Sequence, residues 1–269
     1  MIQAVAHVRP MRGGAQAHLI RADDGHHYVV KFQNNPQHER ILVNEWLATN
    51  LARKIGLSVP PCAVIDIPHA FVEKHEDLVL RSSGMSAKVR CGPAFGSRIP
   101  VPEGQPVYDH LPEAGLKLVI NLDEFAGALA LNKWLYNCDG SQAIFCKPKA
   151  EAGYRVFFID FGFCFNADDW DFPDSPLRGV YCRTIVYRNV TGWDSFEPWL
   201  SRIEAFPPQR LRAIAARMPR TWISDEGALD RLIAEILERR RIVRSLIEHV
   251  RSGPRAPFPN WHDFLAVPA

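Results

Sequence analysis

The chain has 269 residues, 47% of them apolar, which is enough for one large domain or two closely apposed ones. Its 32 basic and 30 acidic residues leave a formal net charge of +2, so no general polyanion-binding field is implied and no direct nucleic-acid partner is expected. The six cysteines form no C-x-x-C pair and no zinc spacing, the first ten residues do not read as a secretory signal, and no apolar run approaches a membrane span, so a reduced, cytoplasmic protein is expected.

In chain order, Ile2 to Val8 and His18 to Ala22 read as short strands flanking the small-residue segment Arg12 to Ala17. The Asp24-Gly25 turn signal then leads into the β-rich Tyr28 to Phe32, which makes a hairpin. Ile41, Leu42, Trp46, Leu47, Leu51 and Ile55 recur at helical spacing and predict a helix from about Gln37 to Ile55, stopped by Gly56. Pro60-Pro61 introduces a strand over Cys62 to Ile67, and Phe71-Val72 and Val89 to Arg98 are further strand candidates. Four prolines between Ile99 and Gly115 mark an irregular connection. Leu122 to Leu135 is helical in period and delivers the chain to Asn137 and Asp139. Ala143 to Cys146 and Arg155 to Ile159 predict a second hairpin, and the rest is helix-rich, with one long helix from about Asp225 to Val250. The Arg239-Arg240-Arg241 run on that helix reads as a solvated face, and Trp193, Trp199, Trp222 and Trp261 read as packing residues.

Lys31 lies on a strand after a glycine-bearing turn, and Glu45 lies on the helix that follows. A lysine that touches nucleotide phosphates needs an opposing carboxylate to fix its long side chain, and this placement supplies one. Glu39 competes on the same predicted helix, but Trp46 and Leu47 anchor the turn that carries Glu45. Asp139 could orient a substrate hydroxyl, and Gln142 offers an amide oxygen to a hard cation; a plain Asx turn joining helix to strand is the alternative. Asp160 ends an apolar strand, where a carboxylate must find a cation or hydrogen bonds, and Mg²⁺ is a fitting partner. Gly13 and Gly14, beside Arg12, either let backbone amides approach phosphates or form an ordinary hairpin turn.

Taken in order, Tyr28 to Phe32, Val43 to Ala48, Gly56 to Pro60, Trp134 to Gln142 and Phe158 to Gly162 resemble the bacterial HipA-like kinase family. The resemblance implies an α+β, bilobal protein-kinase-like fold: a small β-rich N-terminal lobe with one main helix over 1–100, and a larger, mostly helical lobe over 101–269. It implies ATP and Mg²⁺ as cofactors, with Lys31 on the phosphates, Glu45 bracing Lys31, Asp139 as the catalytic-loop acid and Asp160 on the metal. Cys91 to Arg98, with Phe95, would fall near the adenine-binding hinge. The activity implied is transfer of the γ-phosphoryl group to a hydroxyl, of the Ser/Thr type on a protein or on a small molecule. One departure bears on this. HipA-like catalytic loops commonly read Asp-Arg-His, two further residues and a metal-binding Asn, whereas Asp139 is followed by Gly140-Ser141-Gln142. The arginine and histidine are absent and Gln142 arrives two positions early, so a nucleotide-binding pseudokinase acting as a regulatory module is the alternative reading. Neither the acceptor nor the oligomeric state is written in these residues.

Overall fold

A computed structural model describes residues 1–82, 85–149 and 151–261. The N-terminal elements are β1 (Ile2–Pro10), β2 (His18–Ala22), β3 (His27–Lys31), α1 (Ile41–Ile55), β4 (Cys62–Ile67), α2 (His69–Lys74), β5 (Val79–Ser82), β6 (Met85–Lys88) and β7 (Gly92–Arg98). Five of these strands close into a barrel in the order β1-β2-β3-β7-β4, sealed by a short parallel contact of Ile2 and Gln3 with Ile65 and Asp66. Alternation along β2 and β3 turns Ile20, Ala22, Tyr28 and Val30 inward, where they join Phe32, Ile65, Ile67 and Ala94 in one core.

The chain continues through β8 (Val107–Tyr108), α3 (Glu113–Leu116), α4 (Glu124–Trp134), β9 (Gln142–Cys146) and β10 (Arg155–Ile159), then α5 (Trp199–Glu204), α6 (Pro208–Ala215), α7 (Glu226–Arg239) and α8 (Val243–Ser252). A second core joins α1 and Phe95 of the barrel to α4 and the C-terminal helices. Helix α1 belongs mostly to this core: twelve of its fifteen residues are buried, and the Trp46 indole donates to the carbonyl of Ile214. Among the described residues, no helix is long and apolar enough to cross a membrane.

Several elements differ from expectation for identifiable reasons. Helix α1 begins at Ile41 rather than Gln37, because the Asn35 side chain accepts from the Gln37 amide at 3.0 Å and holds the approach in an Asx turn. Its end is as predicted, with Gly56 left-handed at φ 94° and its N–H returned to Ala52 and Arg53. Phe71 and Val72 lie on the short helix α2, since two adjacent apolar residues mark burial without fixing a period. The long C-terminal helix is broken between α7 and α8. There Arg240 Nε donates to the Leu237 carbonyl at 2.6 Å and its Nη1 reaches the Phe206 carbonyl, so the side chain caps the end of α7. The arginine run is therefore not a solvated face: Arg239 is 3% exposed and Arg240 is partly buried, leaving Arg241 on the surface.

Two buried histidines give the fold a defined acid response. His18 lies 2.9 Å from His7 and 3.3 Å from the Val79 carbonyl, and His38 lies 3.0 Å from the Gly162 carbonyl. Burial is the main cause that lowers both pKa values below 6.5. His7 adds to the effect at His18 while Asp77 opposes it, and at His38 the Lys31 and Arg40 charges add while Asp168 opposes. A histidine whose folded pKa is depressed stays neutral in the fold while the unfolded chain takes up the proton. Its stabilising share is therefore complete above about pH 6.5 and lost as pH falls from there towards the folded values. Urea midpoints measured from pH 7.5 down to 5 are expected to fall below about 6.5, and less so in His38→Gln; equal slopes in the two proteins would contradict this.

Candidate active site

Lys31 is the last residue of β3, paired in register with Phe95 of β7. Its ammonium donates to Glu45 Oε1 and, at 2.6 Å, to Asp160 Oδ1. Lys31 and Glu45 are 6% and 2% exposed, whereas the Asp160 side chain, immediately beyond β10, keeps 29% of its surface open. The exposed Glu39, which precedes α1, takes no part in these contacts.

Burial alone would lower the lysine pKa, but the carboxylates of Glu45 and Asp160 outweigh it and raise it above the ordinary lysine value. Their own environments push the two acids apart. Burial raises Glu45 despite the adjacent ammonium, while at Asp160 the Lys31 charge overcomes burial and lowers the pKa. Asp160 is thus the anionic member of the cluster that also reaches solvent.

Backbone geometry fixes this cluster tightly. Asp160 has φ 61°, a left-handed conformation that costs a non-glycine residue on the order of 1 kcal/mol. Two residues on, a Cβ at Gly162 would stand 2.7 Å from Ile41 Cγ1 and 3.4 Å from Glu45 Oε1, so only glycine lets the chain pass this close to α1.

Asp139 is exposed and sits in a braced loop after α4. Its amide donates to Asn137 Oδ1 at 3.1 Å, its Oδ1 accepts from the Gly140 amide at 2.7 Å, and its Oδ2 accepts from Gln142 Nε2 at 3.2 Å. Gln142 pairs with Ile159 across the β9–β10 hairpin, and its side chain, which binds Asp139, also helps to lower the Asp160 pKa, so it lies between the two acids. From a segment forty residues away, the Gly179 amide donates to the Asp139 carbonyl at 3.0 Å and Arg178 Nη1 to the Cys138 carbonyl at 2.6 Å. Gly179 is held in turn by Asn132, whose Oδ1 accepts from Asn137.

Lys31, Glu45, Asp160, Gln142 and Asp139 therefore form one connected set. Gly13 and Gly14 occupy the β1–β2 turn, Gly13 with φ 115° and Gly14 against the Gln37 side chain; among the described residues, no recorded contact joins them to the ion cluster. Phe95 is 1% exposed on β7, directly across from Lys31, and packs in the core that joins the barrel to α1 and α4. Arg98 ends that strand, and the irregular connection begins after it.

The family model described as HipA-like kinase matches residues 4–114. That segment of the chain is similar to the HipA-like kinases. The matched segment carries Lys31 and Glu45 and stops short of Asp139 and Asp160. No curated protein matches the sequence. Among solved structures, a Helicobacter pylori proinflammatory kinase, CtkA, aligns with a TM-score of 0.60 at 13% identity, over 92% of this chain and 96% of its own. Hydra Fam20 with sugar aligns with a TM-score of 0.55 at 12% identity, over 95% and 87% of the two chains. Golgi casein kinase with Mn/ADP bound gives 0.53 at 13% identity, over 94% and 74%. At these identities the likeness is one of fold, and the fold is kinase-like.

The chain also holds residues that sequence reasoning passed over. Asn44, 0% exposed beside Glu45, donates through Nδ2 to the carbonyls of Gly162, Cys164 and Ala167 and accepts from Trp170 Nε1. Lys133 donates to the carbonyls of Ser175, Pro176 and Arg178, and burial lowers its pKa to about 8. The available signal was two adjacent polar residues, Asn44 and Glu45, inside an otherwise apolar helical stretch; the partners, being backbone carbonyls, left no mark in the sequence.

Proposed function

We propose that this chain is an ATP- and Mg²⁺-dependent kinase that transfers the γ-phosphoryl group to a hydroxyl, Ser or Thr of a protein being the preferred acceptor. The observation that carries this reading is the buried lysine held between one closed carboxylate, Glu45, and one that reaches solvent, Asp160. Such a lysine is pre-positioned for phosphate oxygens, because Glu45 removes the rotamer freedom that contact would otherwise cost. The kinase-like fold and the HipA-like family match support it. The Golgi casein kinase that shares the fold was solved with Mn/ADP, which supports a nucleotide and a divalent cation here.

Among the described residues, no three His, Cys, Asp or Glu side chains gather as a metal cage. That donor set suits magnesium, which takes one or two protein oxygens and completes its shell with phosphates and water. Asp160 would hold it, with the Gln142 amide oxygen as the second protein ligand, and the ion would supply charge neutralisation at the phosphates. Asp139 would orient the acceptor hydroxyl and take its proton as the new P–O bond forms and the bond from the γ-phosphorus to the bridging oxygen breaks, releasing ADP. The Gly13-Gly14 turn lets backbone amides approach the phosphates. In this reading the chain divides into a β-rich lobe over 1–100 and a helical lobe over 101–269 that bears Asp139 and Asp160. A cytoplasmic setting belongs to the proposal, since all six cysteines are free thiols.

One observation favours a second reading, a nucleotide-binding pseudokinase. Both Asp139 oxygens already accept hydrogen bonds, in a loop that is shorter than its HipA-like counterparts. A thermal melt and a transfer assay separate the readings. Under either, ATP with Mg²⁺ at about 100 times its dissociation constant stabilises the fold by roughly 2.7 kcal/mol. Only the kinase transfers labelled phosphate, and Asp139→Ala lowers that transfer by about 10²-fold or more while keeping the thermal shift. A shift without transfer across protein and small-molecule acceptors favours the pseudokinase, and the absence of any shift contradicts both.

A further inference from the structure

The segment that follows Asp160 cannot hold its own shape. Asp160 itself, at φ 61°, and four non-glycine residues after it have left-handed values, Phe165 at 60°, Asn166 at 57°, Ala167 at 59° and Trp170 at 54°. Three of these are consecutive, a conformation that L-residues do not sustain as a run by local preference. Support must come from outside the segment, and it comes from two sides. On one side, amides of the segment and of the Asp139 loop pair across their boundary: Cys138 N donates to the Phe163 carbonyl at 3.0 Å, and Phe165 N to the Leu135 carbonyl at 2.7 Å. On the other side stands α1 with the turn leading into it.

Asn44 is the centre of that second support. Its Nδ2 donates to the carbonyls of Gly162 at 2.9 Å, Cys164 at 3.0 Å and Ala167 at 2.6 Å, so one amide group serves three inward-facing acceptors. Its Oδ1 accepts from Trp170 Nε1 at 2.8 Å, which closes the segment at its far end. His38 and Arg40 flank this grip. His38 Nε2 lies 3.0 Å from the Gly162 carbonyl, and Arg40 Nη1 donates to the Asp168 carbonyl at 2.6 Å while its guanidinium lies 4.2 Å from the centre of the Trp170 ring. Among the described residues no other side chain meets three carbonyls of this segment, and a buried carbonyl deprived of its donor is costly.

We propose that Asn44 is a positioning residue, which holds Asp160 in its metal-binding place through the backbone of residues 162–167. Asn44 adjoins Glu45, so a single turn of α1 sets both carboxylates on Lys31: Glu45 by direct contact, Asp160 through the gripped segment. The consequence is a site assembled before any nucleotide arrives, with the segment after Asp160 fastened to α1. The inference rests on the reading of Asp160 as the metal-holding acid, and it reaches further by naming what fixes that acid.

The test compares wild type with Asn44→Asp, which keeps the shape and loses the donors, Asn44→Ala, and Trp170→Phe, which keeps the donors and loses only the indole bond. Hydrogen exchange is measured first on the unliganded proteins. Both Asn44 variants are expected to exchange amides 161–168 about tenfold faster, with β9 and α4 protected as in wild type and Trp170→Phe changed far less. Next, ATP affinity is measured with and without Mg²⁺. The gain from Mg²⁺ is expected to shrink about tenfold in the Asn44 variants while metal-free affinity stays within roughly twofold, a split that loss of general stability does not produce. Uniformly faster exchange, or a loosened segment with an unchanged Mg²⁺ gain, overturns the proposal. If wild type itself shows no Mg²⁺ gain, the metal reading of Asp160 fails, and the exchange pattern alone then upholds or overturns the grip of Asn44 on the segment.

Discussion

Lys31→Met is expected to destabilise the protein by about 3–5 kcal/mol and to reduce phosphoryl transfer by on the order of 10²-fold or more. Methionine fills much the same length, so the loss is chiefly that of charge. Glu45, 2% exposed, is left facing Asp160 with no cation between them. An unpaired buried carboxylate must either take up a proton or draw in water, and both are costly. A double-mutant cycle with Glu45→Gln checks the cause: the pair of substitutions should cost less than the sum of the singles by at least about 1 kcal/mol, because the second removes the charge the first had stranded. Chemical denaturation provides the numbers. Lys54→Met, at the exposed end of α1, is the control and should stay within about 0.5 kcal/mol of wild type.

The second large effect lies at the other end of the helical core. Arg239, 3% exposed, donates through Nε to the Trp134 carbonyl at 2.9 Å and through Nη2 to the Lys133 carbonyl at 2.9 Å. The same guanidinium forks onto both oxygens of Asp174, at 3.0 and 2.7 Å, and lies 4.3 Å from the centre of the Phe172 ring. It thus caps the last carbonyls of α4, the helix that delivers the chain to Asp139. Arg239→Ala is expected to cost about 3–5 kcal/mol, since two buried carbonyls and one carboxylate lose their donors together. Arg239→Lys should recover only part of this, because an ammonium cannot reproduce the planar fork. Arg241→Ala, two residues on with its side chain 75% exposed, should change stability by no more than about 0.5 kcal/mol. Equal effects at the two positions would contradict the assignment.

These two sites mark what could and could not be read from the residues. The Lys31 and Glu45 contact was legible because a strand ending in lysine and an apolar-periodic helix carrying an acid leave little choice of facing side. The hairpin that frames Asp160 was legible for a similar reason, two apolar runs separated by a turn. Arg239 was not, because a run of three arginines carries no mark of which one turns inward; that is decided by the C-terminal carbonyls of α4, 105 residues away, and by Asp174, 65 residues away. Asn44 escaped for the same physical reason, since three of its four partners are carbonyls exposed by an unusual backbone and the fourth, Trp170, lies far along the chain. Phe95, placed near a hinge by the motif resemblance, lies in register with Lys31 and Val64 and packs in the core shared with α1 and α4, a position that its local sequence does not mark. Patterns of burial and period are written locally, but which polar group meets which carbonyl is settled by the assembled chain.

The central claim is that Lys31, Glu45 and Asp160 form a nucleotide site that needs a divalent cation. Titration calorimetry of ATP, with and without Mg²⁺, into wild type and Asp160→Asn addresses it directly. The account predicts that Mg²⁺ tightens ATP binding to wild type by about tenfold or more, roughly 1.4 kcal/mol, and that Asp160→Asn loses this gain while still binding metal-free ATP. Wild type that binds ATP equally well with and without Mg²⁺, or an Asp160→Asn variant that keeps the full gain, would contradict it.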